Sequence, residues 1–320
     1  MNRKILVSLV IVVALGVALY LKNRKTVPVH DQLIKKLDKV ADEIVIVKPD
    51  KTNLKIVQDG EKWLINQEAF PGDKNKIDGL IKKIKDLDVV DIVSKKAFYT
   101  KYDLSPDKAI DVKLFEQGNL IREVVFGKKS STNRHTYVRI DNRPEVFLVS
   151  GTFDNDFNKT VEDLRDKDIF KVEKDSINAF EVAYRGRKYN LFKKQEAPKV
   201  EPPKSPSDPA KKEDKKPEDK WVCQKYPQAK ISKRKVETII SSFNPLRADN
   251  YPDLKKDKLK RSLASIKLKT MSKEITLNIH YQDKKEKKYI ATCSESPYVF
   301  TLSEWMAKKF FVKKIKDLKD

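Results

Sequence analysis

Residues 144–150 read PEVFLVS, and residues 297–303 read PYVFTLS. The two stretches share the pattern Pro-x-Val-Phe-x-[Val/Leu]-Ser at an offset of 153 residues. Short apolar runs rich in β-branched and aromatic residues, bounded by turn-forming residues, are typical of strands. A strand that recurs far along the chain with the same flanking residues indicates an internal repeat. The two stretches therefore predict two copies of one folding unit.

Each copy opens with a predicted β-hairpin that carries a tryptophan in its second strand. In the first copy, Asp59-Gly60 lies between two apolar runs, which is a strong signal for a tight hairpin turn. A tryptophan follows, and its counterpart in the second copy stands at an offset of 158 residues. We expect the aromatic residues at matching positions to lie in the core: Trp63, Trp221, Phe147 and Phe300.

A helix with one apolar face follows the hairpin in each copy. Its predicted N-cap is Asp73 in the first copy and Ser232 in the second. Apolar residues at i, i+3, i+4 and i+7 form a single stripe that a sheet can cover. The stripes are Ile77, Leu80, Ile81 and Ile84 in the first copy, and Val236, Ile239, Ile240 and Phe243 in the second.

Alternating apolar residues after the helix predict antiparallel strands in both copies. Gln117-Gly118-Asn119 marks one of the turns between them. Each copy then closes with a predicted helix, around Phe157 to Leu164 and around Glu304 to Leu318. The predicted fold class is α+β, with two tandem repeat units of antiparallel sheet and packed helices at 44–172 and 173–320.

The N-terminal residues 1–25 predict a membrane anchor. Ile5 to Leu21 carries no charge, and basic residues stand on both sides of it. A cleaved signal peptide is the alternative, but the apolar run is long and a basic cluster follows it directly. The apolar anchor residues are Ile5, Leu6, Val7, Leu9, Val10, Ile11, Val12, Val13, Leu15, Val17, Leu19 and Leu21.

The charges around this run are nearly balanced, so they orient the helix only weakly. With four residues ahead of the run, we expect the N-terminal tail to lie in the cytoplasm. The chain would then be a single-pass inner-membrane protein, with its soluble body in the periplasm or otherwise outside the cytoplasm.

Two segments connect or interrupt the predicted parts. Residues 26–43 predict a stalk helix that packs on the body, and a helix on the bilayer surface is the alternative. Residues 196–220 contain 6 of the 15 Pro, 7 basic and 7 acidic residues, and hardly any large apolar ones. This composition predicts a disordered loop within the second unit, with a docking tether as the alternative.

The basic charge is concentrated in the second copy. The chain carries a formal net charge of +22, and residues 221–320 hold 24 basic and 11 acidic residues. Only 12 of the 69 basic residues are Arg, and we expect no nucleic-acid partner. Anionic lipid headgroups or acidic polymers are the alternative to a Lys-rich surface without a ligand. The candidate anionic-ligand patch consists of Lys255, Lys256, Lys258, Lys260, Arg261, Lys284, Lys285, Lys287 and Lys288.

The sequence predicts no catalytic, cofactor-binding or metal-ligating residues. Its three His lie far apart, and Gly127 to Ser131, which superficially resembles a phosphate loop, is interpreted as a hairpin loop. Cys223 and Cys293 are either small buried thiols or a disulfide, and the sequence leaves the choice open.

Two short segments resemble the bacterial domain-of-unknown-function family 4340 (DUF4340). YTKYDLSP at residues 99–106 is similar to the family's Tyr-Gly-Leu-Asp-x-Pro, with Asp103 in place of Gly and Ser105 in place of Asp. Residues 164–170 resemble the Leu-Arg-Asp-Lys segment that ends the family's first half. The anchor, the duplicated unit and the Trp-bearing hairpins also look like that family.

The resemblance implies a function for the whole chain outside the loop. Genes of this family often stand beside those of ABC transporters of the gliding-motility type, and the family has no established catalytic residues. It implies a non-enzymatic, membrane-anchored extracytoplasmic accessory protein whose partners are the lipid bilayer and ABC transporter subunits. A binding module for an anionic polymer or lipid is one alternative, and an uncharacterised enzyme is another.

Overall fold

A computed structural model describes residues 34, 36–195 and 219–319 of the chain. Within them the chain forms two compact units, the first ending at Asp166 and the second beginning at Lys167. We call them unit 1 and unit 2. Antiparallel sheets dominate both, and the helices are few and mostly short.

Unit 1 contains a nine-stranded sheet with the order β4-β3-β2-β1-β6-β7-β8-β9-β5. All its neighbouring strands are antiparallel. The strands are β1 Glu43–Val47, β2 Asn53–Asp59, β3 Lys62–Ile65, β4 Phe70–Gly72, β5 Val89–Ser94, β6 Ile110–Glu116, β7 Asn119–Lys129, β8 His135–Ile140 and β9 Val146–Ser150.

Unit 2 contains a seven-stranded antiparallel sheet with the order β13-β12-β11-β15-β16-β17-β18. A separate ribbon pairs β10 with β14. The strands are β10 Asp168–Phe170, β11 Ile177–Tyr184, β12 Arg187–Gln195, β13 Asp219–Cys223, β14 Leu246–Arg247, β15 Ala264–Thr270, β16 Glu274–Asp283, β17 Lys288–Cys293 and β18 Val299–Leu302.

Seven strands of the two large sheets correspond in order. The series β3-β2-β1-β6-β7-β8-β9 in unit 1 has the same connections as β13-β12-β11-β15-β16-β17-β18 in unit 2. Even the irregularities match, because the pairing of β7 with β8 shifts after Phe126 and that of β16 with β17 shifts after Ile279. Residues with equivalent partners in the two sheets can therefore be compared directly.

The boundary between the units lies a few residues before the predicted one at 172/173. Asp168 and Phe170 of β10 pair with Arg247 and Leu246 of β14, which follow the first helix of unit 2. The segment that resembles the end of the family's first half thus begins in unit 1 and ends in unit 2.

The α-helices of the described residues are α1 Lys74–Lys85, α2 Asp154–Phe157, α3 Val161–Leu164, α4 Lys233–Ser241 and α5 Glu304–Lys308. The prediction for α1 is confirmed, since Asp73 accepts a hydrogen bond from the backbone N–H of Lys76 and the apolar stripe is buried. Ser232 occupies the N-cap position of α4, but its side chain makes no capping hydrogen bond. Its backbone N–H instead donates to the carbonyl of Leu318.

The predicted closing helices are wrong in their extent. In unit 1 the helix stops at Phe157, and a capping box between Thr160 and Asp163 starts a separate turn, α3. In unit 2, Phe310 and Val312 are both buried while the residue between them is only half-buried. Burial that alternates from one residue to the next is typical of extended chain, and the helix ends before it, at Lys308.

Each unit has its own apolar core between the sheet and its helices. The aromatic residues predicted to be core residues are confirmed, since Trp63, Trp221, Phe147 and Phe300 are all buried. Trp63 also donates its indole N–H to the Oδ1 of Asp78 on α1, at 2.9 Å.

Several predictions fall wholly or partly outside the described residues. The anchor at 1–25 lies outside them, as does most of the loop predicted at 196–220, of which only Asp219 and Lys220 are described, in β13. Of the stalk helix predicted at 26–43, residues 36–42 are irregular and Glu43 begins β1, so no helix occupies this part. Ile34 and Leu37 do pack against the core of unit 1. Within the described residues, no helix is both long enough and apolar enough to span a bilayer.

Candidate functional surfaces

The core of each unit covers one face of its sheet, and we call the opposite face the outer face. In unit 1 the chain between β5 and β6, residues 95–109, crosses this outer face. It forms a second small core there with side chains of the sheet: Tyr102, Leu104, Ala109, Val125 and Val146. The segment that resembles the family motif therefore covers the sheet.

Two backbone positions make this cover possible. Asp103 has φ +54° and ψ +38°, a left-handed conformation that glycine adopts without strain and that Asp tolerates better than most residues. Gly127 of β7 lies beneath the segment, and a Cβ there would come within 2.2 Å of the carbonyl oxygen of Tyr102. The hairpin-loop interpretation of Gly127 to Ser131 is wrong for Gly127 to Lys129, which belong to β7.

Charged side chains form a network on the outer face of unit 1. Lys113 Nζ lies 3.1 Å from Asp111 Oδ2 and 3.2 Å from Glu123 Oε1. Arg139 approaches the second oxygen of Glu123 at 3.9 Å and lies over the ring of Tyr99. The alternation of charged and apolar residues in β6 is the sequence signal for such a network, but it does not identify the partners on β7 and β8.

Burial changes the titration of two members of this network. The Oδ1 of Asp111 is buried without a hydrogen-bond partner, and burial raises the pKa of this carboxyl. Burial acts to lower the pKa of Lys113, but the hydrogen bonds and charges of Asp111 and Glu123 more than offset it, so that this pKa is raised. Oppositely charged side chains are therefore paired on a half-buried surface.

The outer face of unit 2 is built differently. His280 occupies the sheet position equivalent to Gly127, directly after Ile279, the counterpart of Phe126. Its Nδ1 lies 3.0 Å from the carbonyl oxygen of Arg261, and its Nε2 lies 3.0 Å from the hydroxyl of Thr292. The imidazole thus joins the chain that precedes β15 to β17.

The predicted anionic-ligand patch is not one cluster. Lys256 donates through Nζ to the carbonyl oxygens of Cys293 and Ser296, which places residues 255–258 at the C-terminal end of β17. Lys284, Lys285 and Lys287 lie at its N-terminal end, in the turn after β16, and Lys288 is the first residue of β17. Five residues of strand separate the two groups, about 16 Å.

Two members of the patch are engaged inside unit 2. Besides Lys256, Lys288 pairs with Asp249 Oδ2 at 2.9 Å, and this hydrogen bond raises the pKa of the lysine. The other seven are exposed: Lys255, Lys258, Lys260, Arg261, Lys284, Lys285 and Lys287. The turn between β16 and β17 is therefore the compact basic element, with Lys284, Lys285 and Lys287 pointing to solvent.

The two cysteines are separate buried thiols. Cys223 lies in β13 and Cys293 in β17, and neither is disulfide-bonded. Five strand spacings lie between β13 and β17 in the sheet order, about 24 Å in all. This separation excludes a disulfide, and burial raises the pKa of the Cys293 thiol.

Exposed apolar side chains are a feature that the sequence patterns did not identify. In unit 1 these are Val40, Phe98 and Leu120, which are 69%, 59% and 53% exposed. In unit 2, Trp305 on α5 is 68% exposed, and Lys309 Nζ lies 3.5 Å from its ring centroid. A Phe between Lys-rich flanks was visible in the sequence at residues 95–101, but its exposure depends on the fold.

Within the part of the chain that the structure describes, no group of three or more His, Cys, Asp or Glu side chains is placed to hold a metal ion. Neither a curated protein nor a solved structure matches the chain. A family model described as "Domain of unknown function (DUF4340)" matches residues 63–261, more than half of the chain. This match includes the crossing segment of unit 1 and its left-handed Asp103. The chain belongs to the DUF4340 family.

Proposed function

We propose that this chain is a membrane-anchored, extracytoplasmic accessory protein without enzymatic activity. Its proposed partner is an ABC-type export system or a related gliding-type envelope system. The observation that carries the proposal is the uncharged run from Ile5 to Leu21 between basic flanks, because a run of this length and character favours retention in a bilayer.

The arrangement of polar groups in the two units supports a role through contacts. On the outer face of unit 1, Lys113 is held between Asp111 and Glu123. On that of unit 2, both ring nitrogens of His280 have partners within the unit. Lys113 and His280 therefore have their partners inside their own units, and this favours binding through the ends and loops of the units.

A crosslinking pull-down from native membranes tests the proposal. The full chain, crosslinked in intact cells and purified in detergent, is expected to recover transporter subunits. The control is a fusion of residues 1–25 to an unrelated folded domain, which reports what the anchor alone recovers. Recovery of no transporter subunit by the full chain, or the same set by the control, would contradict the proposal.

A second candidate function is binding of an anionic envelope polymer or lipid headgroup. The compact basic turn of Lys284, Lys285 and Lys287 favours it. Binding of the body to anionic vesicles or polymer should weaken steeply with salt, and reversing these three charges to Glu should abolish it. The matched control reverses three exposed lysines elsewhere in unit 2, Lys230, Lys233 and Lys313. Equal effects of the two triple variants would show that only net charge matters.

A further inference from the structure

One end of the nine-stranded sheet receives the N-terminal part of the chain. The backbone N–H of Val40 donates to Glu116 Oε1 at 3.2 Å, and that of Asp42 donates to the carbonyl of Phe115 at 3.0 Å. The turn after β6 contains Gly118, and the turns between β2 and β3 and between β8 and β9 lie at this same end. We call it the Gly118 end, and the opposite end, with the loop between β7 and β8, the Ser131 end.

Among the described residues of unit 1, the large apolar side chains that are exposed all lie toward the Gly118 end. Val40 precedes β1, and Leu120 pairs with Phe115 beside the turn after β6. Phe98 follows β5, whose last residue pairs with the first residue of β9, just after the turn between β8 and β9. The exposed apolar side chains of this unit thus share the end of the sheet at which the chain enters it, spread over several strands.

Phe98 projects from a fixed platform. The residue after it, Tyr99, lies beneath the guanidinium of Arg139, and its hydroxyl lies 3.5 Å from the carbonyl oxygen of Arg143. Tyr102 is buried, with its ring 4.8 Å from that of Tyr137. The flanking aromatic rings hold the segment on the sheet while Phe98 itself faces solvent, so its exposure is built into the fold.

The charged residues next to Phe98 in the sequence all carry a positive charge. The segment Ser94–Lys101 reads SKKAFYTK and contains three lysines and no acidic residue. Lys95, Lys96 and Lys101 are all exposed. An aromatic side chain between exposed lysines complements an anionic bilayer surface, because the ring enters the interface while the ammonium groups contact headgroups.

The length of chain before unit 1 limits how far this end can lie from the bilayer. Residues 22–33 separate the predicted anchor from the first described residue, Ile34. Even fully extended, these twelve residues span at most about 40 Å. A membrane that holds Ile5 to Leu21 is therefore within reach of the Gly118 end.

We propose that the Ser94–Lys101 segment is a lipid-contact element, in which Phe98 enters the interface of an anionic bilayer and Lys95, Lys96 and Lys101 bind its headgroups. The contact orients unit 1 with its Gly118 end toward the membrane and its Ser131 end away from it. The inference rests on the anchor in the proposed function above, and it adds a second attachment point on the folded body.

An environment-sensitive fluorophore on the full-length protein tests the contact. The label is attached to Ala97→Cys, an exposed position beside an intact Phe98, or to Ser131→Cys at the other end. The native thiols, Cys223 and Cys293, are buried, and the unsubstituted chain measures their background labelling. Each labelled protein is reconstituted into vesicles of phosphatidylcholine and phosphatidylglycerol with or without nitroxide-bearing lipid.

The expected result is a blue shift and quenching by nitroxide lipid at position 97, and neither at position 131. Adding Phe98→Ser to the Ala97→Cys protein should reverse both changes, and vesicles of phosphatidylcholine alone should weaken them. If the protein floats with the vesicles but position 97 behaves like position 131, the inference is overturned while the anchor stands. If the protein does not float after an alkaline wash, the anchor in the proposed function has failed.

Discussion

The outer faces of unit 1 and unit 2 differ although the sheets beneath them have seven strands in the same order. In unit 1 the crossing segment packs onto Gly127 and its neighbours, and a network of charges lies beside it. In unit 2 an imidazole, His280, stands at the position of Gly127 and joins two segments through hydrogen bonds. Apolar residues at the core-facing positions therefore specify the same sheet in both units. The contacts that cover the outer face differ: close packing on a glycine in unit 1 and hydrogen bonds of a histidine in unit 2.

The largest expected effect tests the shared core. Phe147 and Phe300 pair with equivalent residues, Val138 and Ala291, and both are fully buried. Replacing either with Ala should cost about 3–5 kcal/mol in the free energy of unfolding, because a large cavity forms. Urea unfolding measures the loss, and hydrogen exchange shows which unit opens. A loss below about 1 kcal/mol in one variant would break the equivalence of the cores.

The next effect tests the close packing on the outer face of unit 1. Gly127→Ala should destabilise the protein by about 1–3 kcal/mol, since the added Cβ meets the backbone oxygen of Tyr102. Gly79→Ala in α1 is the matched control, because a Cβ there meets nothing within 4 Å. The free energy of unfolding of the control should increase by up to about 1 kcal/mol, because Ala has a higher helix propensity than Gly. Equal unfolding midpoints for the two variants would show that the crossing segment does not rest on Gly127.

A smaller effect tests the hydrogen bonds that replace this packing in unit 2. His280→Ala removes the contacts to the carbonyl of Arg261 and to the hydroxyl of Thr292. We expect a loss of about 1 kcal/mol, with faster amide exchange in the chain before β15. Amide exchange that becomes faster only within unit 1 would contradict the role given to these hydrogen bonds in unit 2.

The smallest expected effect is a pH-dependent change in stability, which tests the charge network. Because burial raises the pKa of Asp111, its ionised form is less favourable in the folded than in the unfolded chain. Above the folded pKa the charge costs stability, so Asp111→Asn should raise the unfolding free energy at neutral pH by less than about 1 kcal/mol. Below the ordinary carboxyl pKa both forms are neutral, and the difference should vanish. Urea unfolding at both pH values measures it, and a variant less stable at neutral pH would contradict this sign.

The sequence predicted the core better than the surfaces. The stripe from Ile77 to Ile84 and the repeated Val-Phe strands follow from periodicity, because a buried face needs an apolar residue at each inward position. Periodicity did not predict that the two halves of the basic patch lie at opposite ends of β17, because local composition does not show which strand ends are neighbours in the fold. The strand position of Gly127 was missed for a related reason: the residues that it contacts lie about 25 positions away in the chain.

The exposure of Phe98 also required the fold. In the sequence it is one aromatic residue in a motif with Tyr99 and Tyr102, and all three are equally suited to a core. Only the crossing of the segment over the sheet separates the two tyrosines, which pack on it, from Phe98, which faces solvent.

Protease treatment of intact spheroplasts tests the central claim most directly. The cells produce the full chain with a small tag on its N-terminus, and the membrane pellet is probed for that tag. If the anchored chain holds its body outside the cytoplasm, external protease removes the body and leaves a short tagged fragment in the pellet after alkaline extraction. A full-length chain that resists protease until the cells are lysed, or that leaves the membrane on alkaline extraction, would contradict it.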